Sequence, residues 1–406
     1  MAEHTRIKEC GECPSLNQVA AKGGDLDQPL CLLDQVARLD WTGWGKPGTL
    51  RRMGQNIHMY DGSAWKGLGN LARMKVVALD GNDTYGDGSF GSPYATIQKA
   101  YDEAAAEFTP TQANPAGVLI LPGKYNETVI MDEDHVALVG LGGQQVVNIA
   151  PSSGPALVIS NASRASIATF LANGGQADPL THYGDLVPGV NVPRNVQIRD
   201  ITIGDLSGPG LNDLLIMGVG AGTSFGGSEI NFMRCCVWGS VFARLANYIS
   251  IQGATWLAKR IYAHNVAGVW ANDSQITGAH IHYTTLEDEP SDAGNYGLCG
   301  GKTLCNGDVH LTGEARAGAG DPNGGLVLFQ VTGDLNLDDT SDLTMASSGV
   351  GGDVDAEAGA SFDIKNVHVQ GGVSMAAGAG TCQMDGGAYM GALVDPGVKF
   401  VRNVGA

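Results

Sequence analysis

From Lys75 onward, the chain is built of short apolar runs separated by Gly, Asn and Asp. The clearest runs are residues 136–139, 196–203, 230–238, 275–282 and 361–369. Within them, apolar and polar residues alternate, which is typical of β-strands, while Gly, Asn and Asp favour tight turns. The runs recur roughly every 10 to 25 residues, a spacing typical of stacked coils with loops of varying length. The pattern therefore predicts many short strands joined by turns.

We find one convincing helix after residue 75, which limits how these strands are connected. A doubly wound α/β sheet needs a helix between consecutive parallel strands, whereas a solenoid needs only a turn at each corner. Gly accounts for 60 of 406 residues, about twice the usual frequency, as many corners require. We therefore predict an all-β fold, a right-handed single-stranded parallel β-helix with a capping helix and a small N-terminal attachment domain.

Residues 92–130 contain that helix and the first strands. Ser92 is placed to cap the free amides, and Pro93 suits the first helical position. An apolar stripe follows at Ile97, Tyr101, Ala104 and Phe108. Two strands, 118–121 and 128–131, then flank a Pro-Gly turn. We expect a helix near 93–108 that covers the first coil.

The same segment resembles the opening of the pectin-lyase-like β-helix family, in which P-x-x-T-I-Q-x-A leads to V-x-V-x-P-G-x-Y-x-E. The matching residues are Pro93, Thr96, Ile97, Gln98, Ala100, Pro122, Gly123, Tyr125 and Glu127. The resemblance implies a right-handed solenoid closed by a helix. It covers the start of the fold and includes no catalytic site.

Residues 54–65 alternate and then turn at Asp61-Gly62, which predicts a small β-hairpin. The stretch is similar to the x-Y-x-Y-D-G-S-x-W repeats of phage tail-fibre proteins. That similarity implies a virion-attachment region over 1–74, followed by the β-helix over 75–406. After about residue 340 the side chains become small, so we expect a narrow C-terminal tip.

Two stretches interrupt the rhythm of strands. Residues 160–195 contain several Pro and Gly, and we expect an extended loop on one side of the solenoid. Residues 284–306 indicate a second insertion.

The net charge of −18 makes nucleic acid an improbable partner, because phosphate binding needs a basic stripe. No stretch approaches the roughly 20 apolar residues that span a bilayer, so we expect no membrane span. The first ten residues lack an apolar core, so we expect no export by a conventional signal peptide. No phosphate loop is present, and we predict no cofactor.

Three N-terminal cysteines, Cys10, Cys13 and Cys31, lie near His4 and form an incomplete zinc pattern. A metal site, a disulfide and free thiols all remain open there. Cys299 and Cys305 bracket a Gly-rich stretch and bridge only if their Cβ atoms approach each other.

No carboxylate pair or basic group forms a recognisable catalytic motif. We interpret residues 287–292 as a solvated acidic loop, residues 80–91 as a turn rather than a calcium loop, and Asp200 and Asp205 as turn residues. The arginines that would suit a lyase base are Arg199, Arg234, Arg244 and Arg260, and no motif selects among them. We therefore predict no catalytic residue and no metal site.

Three tryptophans, Trp238, Trp256 and Trp270, follow one another at intervals that suit consecutive coils. On adjacent coils they would form an exposed ladder on which sugars stack; core packing and a subunit interface are the alternatives. Among the histidines, His280 and His282 share a strand face, and with His264 we expect them to be surface residues.

These features favour a virion structural protein of a tailed phage, a spike, fibre or decoration protein. We expect a homotrimer that contacts other virion proteins through residues 1–74 and a host-surface glycan, and that is assembled in the host cytoplasm. The alternative is a tailspike depolymerase that cleaves bacterial polysaccharide. An exported bacterial adhesin or polysaccharide lyase is a third possibility, disfavoured by the lack of a signal peptide.

Overall fold

The computed structural model of the chain describes residues 50–53, 56–60, 65–70, 73–143, 146–187, 193–205, 212–218, 229–244, 248–253, 255–256, 261–264, 268–272, 274–282, 297–315, 326–377, 379, 382–385, 388–389, 393–394 and 401–403.

The predicted N-terminal hairpin is confirmed and is part of a three-stranded antiparallel sheet. Strand Asn56–Tyr60 pairs with Trp65–Asn70, and Tyr60 lies opposite Trp65. Strand Leu50–Met53 pairs with the other edge of Asn56–Tyr60.

The other described strands form three parallel sheets, A, B and C, which the chain visits in turn. Sheet A contains Met74–Val77, Ala116–Ile120, Val136–Gly140, Val196–Arg199, Glu229–Met233, Tyr248–Gln252, Gly268–Asn272, Gly297–Gly301, Leu326–Val327, residues 342–346 of Leu335–Ala346, Ser361–Lys365, Cys382–Asp385 and Val401–Asn403. Sheet B contains Gly123–Tyr125, Val147–Ile149, Thr202–Ile203, Cys236–Val237, Thr255–Trp256, residues 275–277 of Gln275–His282, residues 304–306 of Leu304–Ala315, Gln330–Val331, Gly349–Val350, His368–Val369 and Ala388–Tyr389. Sheet C contains Val129–Met131, Leu157–Ser160, Asn212–Met217, Ser240–Arg244, Ile261–His264, the remainder of Gln275–His282, residues 309–312, residues 335–337, Val354–Ala356, Val373–Met375 and Leu393–Val394.

Each strand pairs in parallel with the strand of the same sheet on the next coil. In sheet C, for example, Val129–Met131 pairs with Leu157–Ser160, which pairs in turn with Asn212–Met217. This stacking of three-strand coils confirms the predicted all-β parallel β-helix architecture. The later coils are regular, since Leu335, Val354 and Val373 are aligned and follow one another at equal intervals along the chain.

One apolar core runs through the stack, because alternate residues point inward in the strands whose side chains are described. In sheet A, Ile198, Phe232 and Ile251 are aligned on successive coils and fully buried. Phe362 and Met375 remain buried near the far end of the described core.

The corner between sheets A and B repeats one two-residue turn. Its first residue has a positive φ of 50° to 57° at Asp200, Arg234, Lys302, Leu328, Ser347 and Asn366. Its second residue is buried, as at Cys235, Thr303 and Ser348. The buried hydroxyls donate to carbonyls of the coil before, for example Thr303 Oγ1 to Ala271 O at 3.0 Å. Polar residues at this corner therefore satisfy the backbone.

Helix α1 spans Ile97–Phe108 and begins four residues later than the sequence predicts. Ser92 and Pro93 do not start it, because Tyr94 bridges to Val77 and its backbone bonds to sheet A. Thr96 is the N-cap residue, accepting from Lys99 N at 3.3 Å. The carboxylate of Asp83 accepts from the amides of Ala95 and Thr96, in agreement with a turn at 80–91.

The residues that resemble the family motif hold α1 on the first coil. The Glu127 carboxylate accepts from Ile97 N at 2.8 Å and from Gln98 N at 3.0 Å. The Gln98 amide exchanges two hydrogen bonds with the backbone of Ile130, at 2.6 and 3.1 Å. The motif residues therefore fix the helix that closes the end of the solenoid.

The expectation of an extended loop over 160–195 is wrong. This stretch contains helix α2 (Arg164–Ala172), helix α3 (Pro179–His182) and a 3-10 turn at Tyr183–Asp185. Helix α2 forms because Ser163 caps it and because Ile167 and Phe170 pack on outward-facing residues of sheet C. Of the second predicted insertion, residues 284–296 lie outside the described residues, whereas its last part belongs to strands Gly297–Gly301 and Leu304–Ala315.

Candidate functional site

Two carboxyl groups lie near the corner between sheets B and C. Asp205 follows strand Thr202–Ile203, and Asp213 belongs to strand Asn212–Met217. Lys124, two coils earlier in sheet B, places its Nζ 2.5 Å from Asp205 Oδ2. Stacking of coils thus gathers charged side chains that are far apart in the sequence.

Two glycines create the space that the Asp213 carboxyl occupies. A Cβ atom at Gly239 would lie 1.7 Å from Asp213 Oδ2, and one at Gly204 would lie 2.8 Å from the same oxygen. Gly204 also has a φ of +86°, a conformation that disfavours other residues. Any side chain at Gly239 would therefore displace the carboxyl.

The two carboxyl groups have different environments. Burial, reinforced by the negative charge of Asp205, raises the pKa of Asp213 to about 6. No residue in the described part of the chain donates a hydrogen bond to its carboxylate, whereas Asp205 has the ammonium of Lys124 beside it. Asp213 is therefore half protonated at about pH 6, beside a carboxylate that is paired with a cation. Two carboxyl groups that differ in this way are what acid–base hydrolysis of a glycosidic bond requires.

The predicted tryptophans occupy two sheets. Trp238 directly precedes Gly239 and is half-buried. Its backbone amide donates to Ile203 O at 3.0 Å. Trp256 lies on the next strand of sheet B, aligned with Val237. Trp270 lies in sheet A, aligned with Ser250. The register therefore separates Trp270 from the other two, so a single three-residue ladder is not formed; sugar contact by each of the three stays a prediction.

The sequence did not single out Asp213. Its carboxyl is covered by Gly239, which belongs to the following coil, and no local pattern encodes that contact. Asp205 is predicted from the sequence to be a turn residue. One signal in the sequence points to this space: a glycine follows the sheet B strand on both coils. Gly204 comes directly after Ile203, and Gly239 comes two residues after Val237.

The described arginines that were candidates for a lyase base are engaged elsewhere. Arg234 makes two hydrogen bonds of 2.7 Å to the buried carboxylate of Asp200. The guanidinium of Arg244 lies 3.7 Å from the ring centre of Tyr183, and Arg199 donates to Gln197 at 2.6 Å. Arg260 and residues 287–292 lie outside the described residues.

The cysteines whose side chains are described, Cys235, Cys236 and Cys305, are buried and free. Burial raises the pKa of Cys235 to about 12 and that of Cys236 to about 11, so neither thiol is a nucleophile at neutral pH. Cys305 is also free, so it forms no bridge with Cys299. Cys10, Cys13 and Cys31 lie outside the described residues.

Where side chains are described, no three His, Cys, Asp or Glu residues come together as a metal site. No helix among the described residues has the length and apolar character to cross a membrane.

No protein-family model matches the chain, and no curated protein matches it. Among the solved structures that are similar to it are two viral proteins. Tailspike protein 3 of bacteriophage CBA120 has 11% identity and a TM-score of 0.30, over 94% of this chain and 69% of that one. The ORF18 protein of Geobacillus virus E2 has 11% identity and a TM-score of 0.25, over 86% of this chain and 68% of that one. Because both TM-scores are low, the fold assignment rests on the strand pairing alone.

Proposed function

We propose that the protein is a virion structural protein of a tailed bacteriophage, a spike, fibre or decoration protein. One observation supports this most: a small antiparallel module, with Tyr60 opposite Trp65, precedes a parallel β-helix closed by α1. The module is the one that resembles phage tail-fibre repeats. A rigid solenoid behind a small module suits a protein that is attached at one end and projects from a particle.

In this proposal residues 1–74 bind other virion proteins, and the β-helix projects outward as a homotrimer after assembly in the host cytoplasm. A host-surface glycan is the ligand of the projecting part. Trp238, Trp256 and Trp270 are the proposed sugar contacts, because flat aromatic faces stack on the apolar faces of sugars.

The test is whether the protein belongs to a particle. Gradient-purified phage particles from the source are analysed by mass spectrometry and labelled with an antibody against the full-length protein. We expect the chain in the particle fraction and label on one structure of the virion. Its presence only outside particles would contradict the proposal.

A second function, cleavage of bacterial polysaccharide by a tailspike depolymerase, is favoured specifically by the carboxyl groups at the corner of sheets B and C. Protonated Asp213 would donate its proton to the glycosidic oxygen as the bond breaks. The Asp205 carboxylate would accept a proton from the attacking water, so that one water molecule is consumed for each bond cleaved.

This second function is tested by incubating the full-length protein with host polysaccharide and measuring chain length. We expect shortening that is faster below about pH 6, where Asp213 is protonated, and that Asp213→Asn abolishes. Glu357→Gln, an exposed carboxylate on a later coil, is the matched control. No shortening by the wild-type protein, or undiminished shortening by D213N, would exclude this role.

A further inference from the structure

Arg244 lies on the outer face of sheet C, where the insertion that contains α2 and α3 meets the solenoid. It ends strand Ser240–Arg244, in which Val241 and Ala243 belong to the core. Because residues of a strand alternate between the two faces, Arg244 lies on the outer face together with Phe242. Phe242 is buried in the apolar cluster under α2. The arginine is therefore at the edge of a packed apolar cluster.

The position of the Arg244 guanidinium is fixed by Tyr183 of the insertion. The guanidinium stacks on the tyrosine ring, 3.7 Å from the ring centre. The Tyr183 hydroxyl donates to Gly218 O, and Gly218 N donates to Arg244 O at 2.9 Å. The ring and the arginine backbone are thus held by the same residue. Stacking covers a face of the guanidinium and leaves its N–H groups, which lie in the plane, for other partners.

The N–H groups of Arg244 find no acceptor in the part of the chain that the structure describes. Nε is buried and makes no hydrogen bond there, and no described carboxylate pairs with the guanidinium. Arg164 and Arg234, in contrast, are each paired with aspartate. A buried donor without an acceptor costs free energy, and a bound ion is one of the few reasons for which native folds retain such a group.

The carboxylate of the same insertion, Asp185, is already engaged. It accepts from Asn173 Nδ2 at 2.8 Å, and His182 Nδ1 lies 3.5 Å from its Oδ2. Acidic residues outnumber Lys and Arg by 42 to 24 in the whole chain, so an arginine without a carboxylate partner is unexpected. The donors of Arg244 match an oxyanion from outside the chain, because the guanidinium fork suits carboxylate and phosphate.

An aromatic ring lies one strand further along sheet C. Tyr262 aligns with Phe242, and the two rings stack within 5° of parallel, with centres 5.6 Å apart. Tyr262 is partly exposed and lies diagonally from Arg244. Strands about 4.8 Å apart and alternate residues about 6.6 Å apart give a diagonal of about 8 Å. A sugar ring with an acidic substituent is long enough to contact both residues.

We propose that Arg244 binds an oxyanion, the carboxylate or phosphate group of an acidic sugar, whose ring lies against Tyr262. This inference rests on the glycan ligand proposed above and gives that ligand a chemical class, an acidic polysaccharide. The contact is separate from the proposed tryptophan contacts, because Trp256 and Trp270 lie in sheets B and A and Trp238 follows a strand of sheet B.

The test measures binding to the full-length protein by calorimetry with three probes. They are a trisaccharide of galacturonic acid, the matching neutral trisaccharide of galactose, and galactose 6-phosphate. We expect at least one acidic probe to bind about tenfold or more tightly than the neutral one, and added salt to weaken the acidic probe. Whichever acidic probe binds more tightly identifies carboxylate or phosphate as the group recognised.

Variants locate the contact. Arg244→Gln should weaken binding of the acidic probe by about tenfold or more and leave the neutral probe unchanged. Arg244→Lys keeps the charge and loses the planar fork, so its affinity should lie between those of the wild type and R244Q. Arg194→Gln removes an exposed arginine ahead of a sheet A strand and should leave binding unchanged. Far-UV circular dichroism establishes that each variant is folded.

Equal binding of acidic and neutral probes would overturn this proposal while leaving a glycan ligand in place. Equal binding of the acidic probe by the wild type and folded R244Q would overturn it in the same way. Absence of binding to all three probes would also overturn it, and association with the virion, which is measured on purified particles, would be unaffected by that result.

Discussion

The Asp213 carboxyl lies at a corner where water is partly excluded, and burial raises its pKa. Ionising this carboxyl in the folded chain therefore lowers the free energy of unfolding, and the loss depends on pH. The unfolded chain ionises Asp213 near 3.8, whereas the folded chain does so near 6. The free energy of unfolding is therefore highest below about pH 4, where the carboxyl is protonated in both states. It falls as the pH rises to about 6.

Asp213→Asn replaces the carboxyl with a neutral amide and so removes this pH-dependent loss of stability. We expect the variant to be more stable than the wild type by about 2 kcal/mol at about pH 7.5, and by much less at about pH 4.5. Urea unfolding of the two proteins at both pH values measures the difference. Glu357→Gln should show no such pH dependence, and an equal gain at both pH values would contradict a desolvated carboxyl with a raised pKa.

At the start of α1, Glu127 carries two hydrogen bonds that the rest of the helix cannot replace. Glu127→Ala leaves the amides of Ile97 and Gln98 without this acceptor. We expect a loss of about 1 to 3 kcal/mol in the free energy of unfolding. The control is Glu103→Ala, which removes an exposed pair with Lys99 and should cost about 0.5 kcal/mol or less. Equal losses in the two variants would show that Glu127 does not cap the helix.

At the scale of the elements, a ladder of aspartates joins the later coils at the corner of sheets B and C. Asp308 accepts from the amide of Asp334 at 2.9 Å, and Asp334 accepts from the amide of Asp353 at 2.8 Å. A Cβ at Gly352 would lie 2.0 Å from Asp334 Oδ1, so the glycine is required for this contact. Each carboxylate thus accepts the hydrogen bond of a backbone amide at the turn of the next coil.

Asp334→Ala should destabilise the protein by about 1 kcal/mol, because the amide of Asp353 loses its acceptor. Asp334→Asn keeps an acceptor and removes a charge near Asp308 and Asp353, so it should be neutral or slightly stabilising. Thermal unfolding of both variants under the same conditions gives the comparison. A destabilised D334N with an unaffected D334A would contradict the ladder.

Elements with a strong local pattern were predictable from the sequence, and those that depend on tertiary contacts were not. The apolar stripe of α1 is encoded locally, and Ile97, Tyr101 and Ala104 are buried as predicted. The start of α1 was misplaced because Tyr94 is held by sheet A, a contact between distant residues. Helix α2 was missed because its stabilising partners, such as Phe242, come from a later coil.

For the whole molecule, stacking of coils was predictable, whereas the candidate site was not. Alternating short runs with turns between them allow few other folds. The meeting of Lys124, Asp205 and Asp213 depends on which residues of successive coils are aligned, and loops of irregular length hide that register in the sequence.

The oligomeric state is a property of the whole molecule that the proposed function predicts. Three chains of 42.0 kDa would give about 126 kDa. Size-exclusion chromatography with light scattering should show that mass at micromolar concentration. A single species with the mass of one chain would remove the trimer from the proposal.

The central claim is that a parallel three-sheet solenoid places the Asp213 carboxyl against Gly239 and near Asp205, which is paired with Lys124. A crystal structure of the full-length protein that resolves side chains tests it most directly. We predict parallel strands about 4.8 Å apart in each sheet, with Asp213 seated on Gly239 and Lys124 paired with Asp205. Antiparallel pairing of the strands after residue 73, or an Asp213 carboxyl remote from Gly239, would contradict the account.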